Sequence, residues 1–366
     1  MSAAAPPAAI ECRPDAGFAD WLAKLGGSLA VTTYQAGKVA LLGWDGERVT
    51  FLLRQFDKPM GLAVRGHQLA LATRHDVTLF ADAPLLAPDY LPDRSVVYDA
   101  LFLPRVAYHT GDLNTHDVAL ASDGLWVCAT RFGCLARLGP DHSFAPAWHP
   151  KFVSELTPDD RCHLNGLAMR DDAPKSVTCL GETDEAGGWR ATKASGGVVI
   201  DVPTNEVVLR GLAMPHSPRW HGGALWVLNS GAGELLRVDP AGGRADVVCA
   251  LPAYLRGLAF AGPFAVVGLC QIRERHIFGG LPVQERHAEL LAGVAVIDLR
   301  SGRRVGLLEF TSGCQEVYDV AVLPGVRRPM LVGRDKEASR QAVTAPGFSY
   351  WLRPAGELPA AAGAVI

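Results

Sequence analysis

Three histidines stand at matching points of three consecutive segments of this 366-residue chain: His116 in NTHD, His163 in HLNGLA and His216 in MPHSPRW. Imidazole is the commonest protein ligand for metals, and three of them with one coordination position left open is a catalytic pattern. The softness of nitrogen donors favours zinc, copper or iron as the divalent transition metal. The same histidines could instead cap backbone groups at turns or hydrogen-bond a substrate, and the sequence leaves these readings side by side. Around them fall further groups with chemistry to offer. Glu316 and Tyr318 (in QEVYDVAVLPG) are candidates for proton handling, while Arg256 and Lys58 could act at the reacting group. Asn165, Arg74, Arg131, Tyr254 and Gln35 are candidates for substrate binding, because guanidinium forks suit planar anions and amides or phenols orient polar groups. Each cation could equally be a solvated rim charge, and each tyrosine a packing residue.

What brings these residues together is an internal repeat. A turn, a Gly or Asp, an apolar strand, a tight turn and a second strand recur as KPMGLAVRGHQLALAT (58–73), THDVALASDGLWVCAT (115–130), HLNGLAMRDDAPKSVTCLGE (163–182), PHSPRWHGGALWVLNS (215–230), YLRGLAFAGPFAVVGL (254–269) and EVYDVAVLPGVRRPMLVG (316–333). Aligned on Gly61, Asp117, Gly166, Pro218, Gly257 and Asp319, the copies lie 56, 49, 52, 39 and 62 residues apart, a mean of about 52. Third strands follow at DVTLFAD (76–82), CLARLGP (134–140), GVVIDVP (197–203), ELLRVDP (234–240) and GVAVIDL (293–299). Fourth strands follow at EVVLRGL (206–212), ADVVCAL (245–251) and RVGLLEF (304–310). Four antiparallel strands per unit is a propeller blade, so the fold class is all-β, a six-bladed β-propeller.

The ends complete the ring. LAVTT (29–33), KVALLGWD (38–45) and RVTFLLRQF (48–56) supply three strands of a blade, and YDVAVL (318–323) supplies its first, which would remove an exposed sheet edge. Domain limits follow: a tail over 1–25 with a short amphipathic helix at 16–25, the propeller over 26–355, and a tail over 356–366. In an antiparallel blade, residues before strand one and after strand two share one mouth. All the candidates above are therefore expected on one face. A long insertion at 270–292, carrying Arg273 and His276, is expected to overhang that mouth or to sit on the surface with a short helix.

Composition excludes some classes of work. A net charge of −3 and a pI near 6.4 offer no basis for binding nucleic acid. No run of 18 apolar residues suggests a membrane span, and the first residues lack a secretory pattern. Eight cysteines without CxxC spacing read as reduced thiols of a cytoplasmic protein, and since a propeller needs no oligomer for stability, a monomer is expected. Phosphate-loop, GxSxG and HExxH motifs are missing from the sequence.

The segments THDVALASDGLWVCAT and HLNGLAM resemble NHL-type and gluconolactonase-like six-bladed propellers. With TYQAGK (33–38), FDKPMGLA (56–63), MPHSPRW and QEVYDVAVLPG, nearly the whole chain resembles a bacterial family of conserved hypothetical propeller proteins. The first resemblance implies an axial divalent metal with Glu, Asn and Asp ligands. Asn165 and Glu316 match in type, but histidines replace the other ligands, which speaks against a calcium lactonase. Peptidyl-amidoglycolate lyase propellers hold zinc on three histidines, and His116, His163 and His216 look similar in number and placement. Together these readings imply a metal-dependent hydrolase, lyase or oxidoreductase acting on a small polar or peptide substrate. The alternative is a non-catalytic propeller that binds a peptide or protein on the same face.

Overall fold

Alternating apolar residues and Gly- or Asp-rich turns fold the chain into six four-stranded antiparallel blades. The computed structural model describes residues 9–272 and 279–353. Blade 1 is closed by both ends of the chain: Asp319–Pro324 is innermost and pairs antiparallel with Gly27–Thr32, which is followed outward by Lys38–Trp44 and Val49–Gln55. The innermost strands of blades 2 to 6 are Leu62–Arg65, Thr115–Ala121, Leu164–Arg170, Pro215–His221 and Tyr254–Ala261. The strands expected at 76–82 and 206–212 occur with those bounds, and the others differ by a few residues at their ends.

Between neighbouring blades the inward side chains interlock. Leu228 and Leu235 of blade 5 meet Val267, Leu269 and Ala295 of blade 6, and Val31 and Leu42 of blade 1 meet Val266 and Val294 on its other side. Burial of each such side chain stabilises the ring by about 1.5–3 kcal/mol. Helix α1 (Ala16–Leu25) presents Phe18, Trp21 and Leu22 to this core at helical spacing. Asp15 caps α1 by accepting from the Phe18 N–H at 2.7 Å, and the same oxygen accepts from the Leu307 N–H at 3.1 Å, which pins the helix to blade 6. Residues ahead of it, Glu11–Pro14, add a fifth strand to the outer edge of blade 6, and Pro329–Leu331 adds a parallel one to blade 2. Both additions cover edges that would otherwise offer free backbone groups.

At the axis, charge joins what packing alone would leave loose. Asp319 of blade 1 accepts from the Leu62 N–H of blade 2 at 2.9 Å, and Asp117 of blade 3 accepts from the Leu167 N–H of blade 4 at 2.9 Å. In blade 5 the Ser217 hydroxyl takes the same part, accepting from the Gly257 N–H of blade 6 at 3.0 Å. Arg219 then reaches across the axis: it bonds Asp117 at 2.7 and 3.2 Å and lies 3.7 Å from Asp319. Both aspartates are 3% exposed. Burial pushes the Asp319 carboxyl up while the Arg219 guanidinium pulls it down. Gly61, Gly166 and Gly257 are required by close approach, since a Cβ would fall 2.9 Å from the His116 carbonyl, 2.2 Å from Pro218 and 2.7 Å from the Asp319 Cα.

Eight cysteines are free thiols, and no helix among the described residues is long and apolar enough to cross a membrane. Arg219→Met leaves two buried carboxylates without their counter-ion and is expected to cost about 3–5 kcal/mol in denaturant unfolding at neutral pH. Without the guanidinium, the buried Asp319 carboxyl holds its proton still more tightly folded than unfolded. The deficit should therefore shrink as the pH falls from about 8 to about 5, and a pH-independent deficit would contradict this account.

Candidate functional site

The strand starts converge on a chamber of about 180 Å³ lined by Tyr34, Asn114, His116, Asp160, His163, Leu180, Trp189, Arg190, Met214, His216, Arg256, Glu316 and Tyr318. Backbone conformation delivers several of them. Tyr34, Lys58, Asn114, His163 and Met214 all have φ between 46° and 53°, the left-handed region, and the last three immediately precede the inner strands of blades 3 to 5. Such conformations cost about 1–3 kcal/mol each in non-glycine residues and persist only where the surroundings dictate them.

All three imidazoles are anchored in the same way. His116 Nδ1 lies 2.9 Å from the Asn114 carbonyl, and His216 Nδ1 lies 2.9 Å from the Met214 carbonyl. A carbonyl only accepts, so Nδ1 carries the proton and Nε2 presents a lone pair. His163 Nδ1 donates to both Asp160 oxygens, at 2.8 and 2.9 Å, and Asp160 also accepts from the Trp189 indole N–H at 3.1 Å. The Trp189 ring packs 4.6 Å from the His163 ring. His116 and His163 then face each other, Nε2 to Nε2, at 3.1 Å. With both Nδ1 protonated, two neutral rings point lone pair at lone pair, a repulsion that a shared proton or a metal ion would relieve. Two imidazoles on one tetrahedral metal with bonds of about 2.0–2.1 Å hold their nitrogens about 3.3 Å apart, close to this spacing.

The third histidine stands further off. Ring centroids of His116 and His216 are 6.3 Å apart, against 4.6 Å for His116 and His163. His216 Nε2 faces the Arg256 guanidinium at 3.4 Å. Among the described residues, no group of three or more His, Cys, Asp or Glu is drawn together tightly enough to hold a metal ion. Burial, the His163 ring and Arg256 hold His116 well below the ordinary imidazole range, and burial and Arg256 do the same for His216. Arg256 also lies over the Tyr318 ring at 4.3 Å.

Of the residues singled out from the sequence, His116, His163, His216, Arg256, Glu316 and Tyr318 line this chamber. Tyr254 stands behind it, its hydroxyl 3.4 Å from His216 Nδ1. Gln35, Lys58 and Arg74 line a separate open groove of about 1010 Å³ that shares Tyr34 with the chamber. There Arg74 pairs with Asp57 at 3.0 Å, and the Lys58 ammonium lies over the Tyr34 ring at 5.3 Å. Arg131 pairs with Asp112 at 3.0 Å and does not line the chamber. Asn165 faces the gap between blades, donating to the Pro215 carbonyl at 3.0 Å and accepting from Thr178 at 2.7 Å. Arg273 and His276 lie outside the described residues, and the short helix of that insertion is α2 (Pro282–Arg286), tied to blade 5 by Arg286–Glu234 at 2.7 Å. Sequence reasoning missed Asp160 and Trp189. Asp160, three residues before His163 in DDRCH, was visible as a carboxylate within reach; Trp189 sits in an irregular insertion that carries no such signal.

In metal-free protein, the imidazoles of His116 and His216 are expected to remain neutral, with the proton on Nδ1, when the pH is lowered through 6.5. Nitrogen-detected NMR of the ring resonances reads this directly, and a midpoint at the ordinary imidazole value of about 6.5 in either ring would refute the anchored geometry.

A family model described as a domain of unknown function (DUF4915) matches residues 16–332. No curated protein matches the chain in sequence. Among solved structures, that of a nidogen/laminin complex is similar with a TM-score of 0.52 at 10% identity, covering 81% of this chain and 98% of that one, a likeness of fold. A protein of unknown function from Bacteroides caccae gives 0.49 at 9% identity, with 81% and 98% covered. A streptogramin B lyase structure gives 0.38 at 13% identity, with 64% and 70% covered.

Proposed function

This chain belongs to the family described as a domain of unknown function (DUF4915), and from that premise we propose that its axial chamber is the centre of a metal-dependent enzyme acting on a small polar or peptide substrate. The metal would be a divalent transition ion on Nε2 of His116 and His163, with His216 as the third donor. One observation carries this reading: the 3.1 Å approach of two Nε2 atoms whose opposite ring nitrogens are both committed as donors. Anchoring of the second ring nitrogen by a carbonyl or carboxylate is the arrangement that orients metal-bound histidines. When bound, such an ion supplies Lewis acidity and a more acidic water.

The chain's own side chains have distinct parts in this proposal. Asp160 holds the His163 ring in place and is itself held by Trp189. The Tyr318 hydroxyl is enclosed, and Glu316 opens on the same chamber, so these two are the groups to move a proton at the substrate. Leu180, Met214 and Trp189 restrict water around the histidines. His216 must close on the pair by giving up its 3.4 Å contact with Arg256. That requirement favours a second reading, in which His116 and His163 share a proton and the chamber binds a ligand without catalysing a reaction.

Elemental analysis of untagged protein separates the two. About one zinc, copper or iron per chain is expected, absent from a His116→Ala, His163→Ala double variant. No binding after reconstitution with all three metals would leave only the second reading. Asp160→Asn should weaken metal affinity about 10–100-fold without abolishing it, as measured by competition with a chelator.

A further inference from the structure

Arg256 and Arg219 occupy neighbouring blades and are treated in opposite ways. Arg219 is saturated: it bonds Asp117 through both terminal nitrogens and also donates to the Leu167 and Pro218 carbonyls. Arg256 is not. Its Nε is enclosed with no hydrogen-bond partner, one terminal nitrogen makes a long contact to His216 Nε2, and its flat face rests on Tyr318. Among the described residues no ion pair reaches its guanidinium. A guanidinium carries five donors and keeps its charge in proteins, so a half-buried one with its Nε enclosed and no carboxylate bridging it is costly unless something else completes it. The Tyr318 hydroxyl, whose ring lies beneath Arg256, is likewise enclosed without a partner. Two unfilled polar groups thus face the same chamber from blades 6 and 1.

We infer that the chamber takes a small monocarboxylate whose oxygens are received by the Arg256 guanidinium and the Tyr318 hydroxyl. A planar carboxylate matches the guanidinium fork in shape and charge. Charge selects a monoanion, because Arg190 and Arg256 are set against Asp160 and Glu316 in the lining and leave no surplus of positive charge to hold a second negative one. Size selects a small one: about 180 Å³ lies below the roughly 300–1,000 Å³ of sites for drug-sized ligands. As a substrate class this rests on the enzyme reading above, yet the binding itself requires no metal, and the two are separable by experiment.

The test is a thermal-shift and calorimetric titration of the full chain, metal-stripped and zinc-loaded, with propionate, inorganic phosphate and chloride at constant ionic strength. Propionate should bind the stripped protein saturably, phosphate and chloride should not, and Arg256→Gln should weaken propionate by more than about 30-fold. Arg256→Lys keeps the charge and guards against misfolding; with circular dichroism unchanged, it should bind propionate more weakly than wild type and better than the Gln variant. Tyr318→Phe should give a smaller loss in the same direction. Equal binding of phosphate, or propionate binding that survives Arg256→Gln, would overturn the assignment whatever the metal result. Propionate binding by a protein that takes up no zinc would uphold it and remove the metal reading alone.

Discussion

Arg219 reaches from blade 5 across the axis to Asp117 of blade 3 and comes within 3.7 Å of Asp319 of blade 1. Two carboxylates and one guanidinium, withdrawn from water at the narrowest part of the ring, are tolerated only because each oxygen also receives a backbone N–H. Those N–H groups belong to the inner strands of the aspartates' own blades and of the blades that follow. The six blades are consequently bound as three pairs, 1 with 2, 3 with 4 and 5 with 6, through Asp319, Asp117 and Ser217. Glycines on the even blades let each pair close against the next. The geometry of the mouth is inherited from this arrangement, since His116 adjoins Asp117, His216 adjoins Ser217 and Tyr318 adjoins Asp319.

That adjacency divides the chamber into two sides of unlike chemistry. Blades 3, 4 and 5 contribute imidazole nitrogens with their lone pairs directed inward. Blades 6 and 1 contribute a guanidinium and a phenol, both donors, beside the carboxyl of Glu316. Acceptors therefore oppose donors across a small space, and a ligand that satisfies both sides must carry electron-poor and electron-rich groups within a few bonds of each other. Left-handed backbone stands at Asn114, His163 and Met214 on the first side, beside or at the three rings that must point in one direction, and at Tyr34 on the second.

The ring itself was legible because hydrophobic alternation recurs six times, 39 to 62 residues apart, and turn residues mark the reversals. Helix α1 was legible for the same reason: its apolar positions have helical spacing and Asp15 precedes them. Topology also carried the six chamber-lining residues found in advance, because equivalent positions in a blade must share a face. It could not tell which polar residue at a mouth points to the axis and which points between blades. Asn165 shows the limit, since its amide is consumed by Pro215 and Thr178 in the interblade gap. Arg74 and Arg131 show another: each meets an acidic partner 17 or 19 residues earlier in the chain, Asp57 and Asp112, and is neutralised locally. Arg219 was passed over because a repeat alignment compares equivalent positions, whereas its importance comes from the absence of an aspartate in blade 5.

The strand Asp319–Pro324 closes the ring. It is also the last inner strand to be synthesised, and Glu316, Tyr318 and Asp319 arrive with it. Before that moment Arg219 lacks one of its two aspartates, the sixth blade lacks a neighbour, and the chamber lacks a wall. Assembly of the site and completion of the fold are thus a single event. A chain interrupted between His216 and Asp319 carries the three histidines but no enclosed chamber, so an unfinished molecule has no means of displaying a partial version of its chemistry.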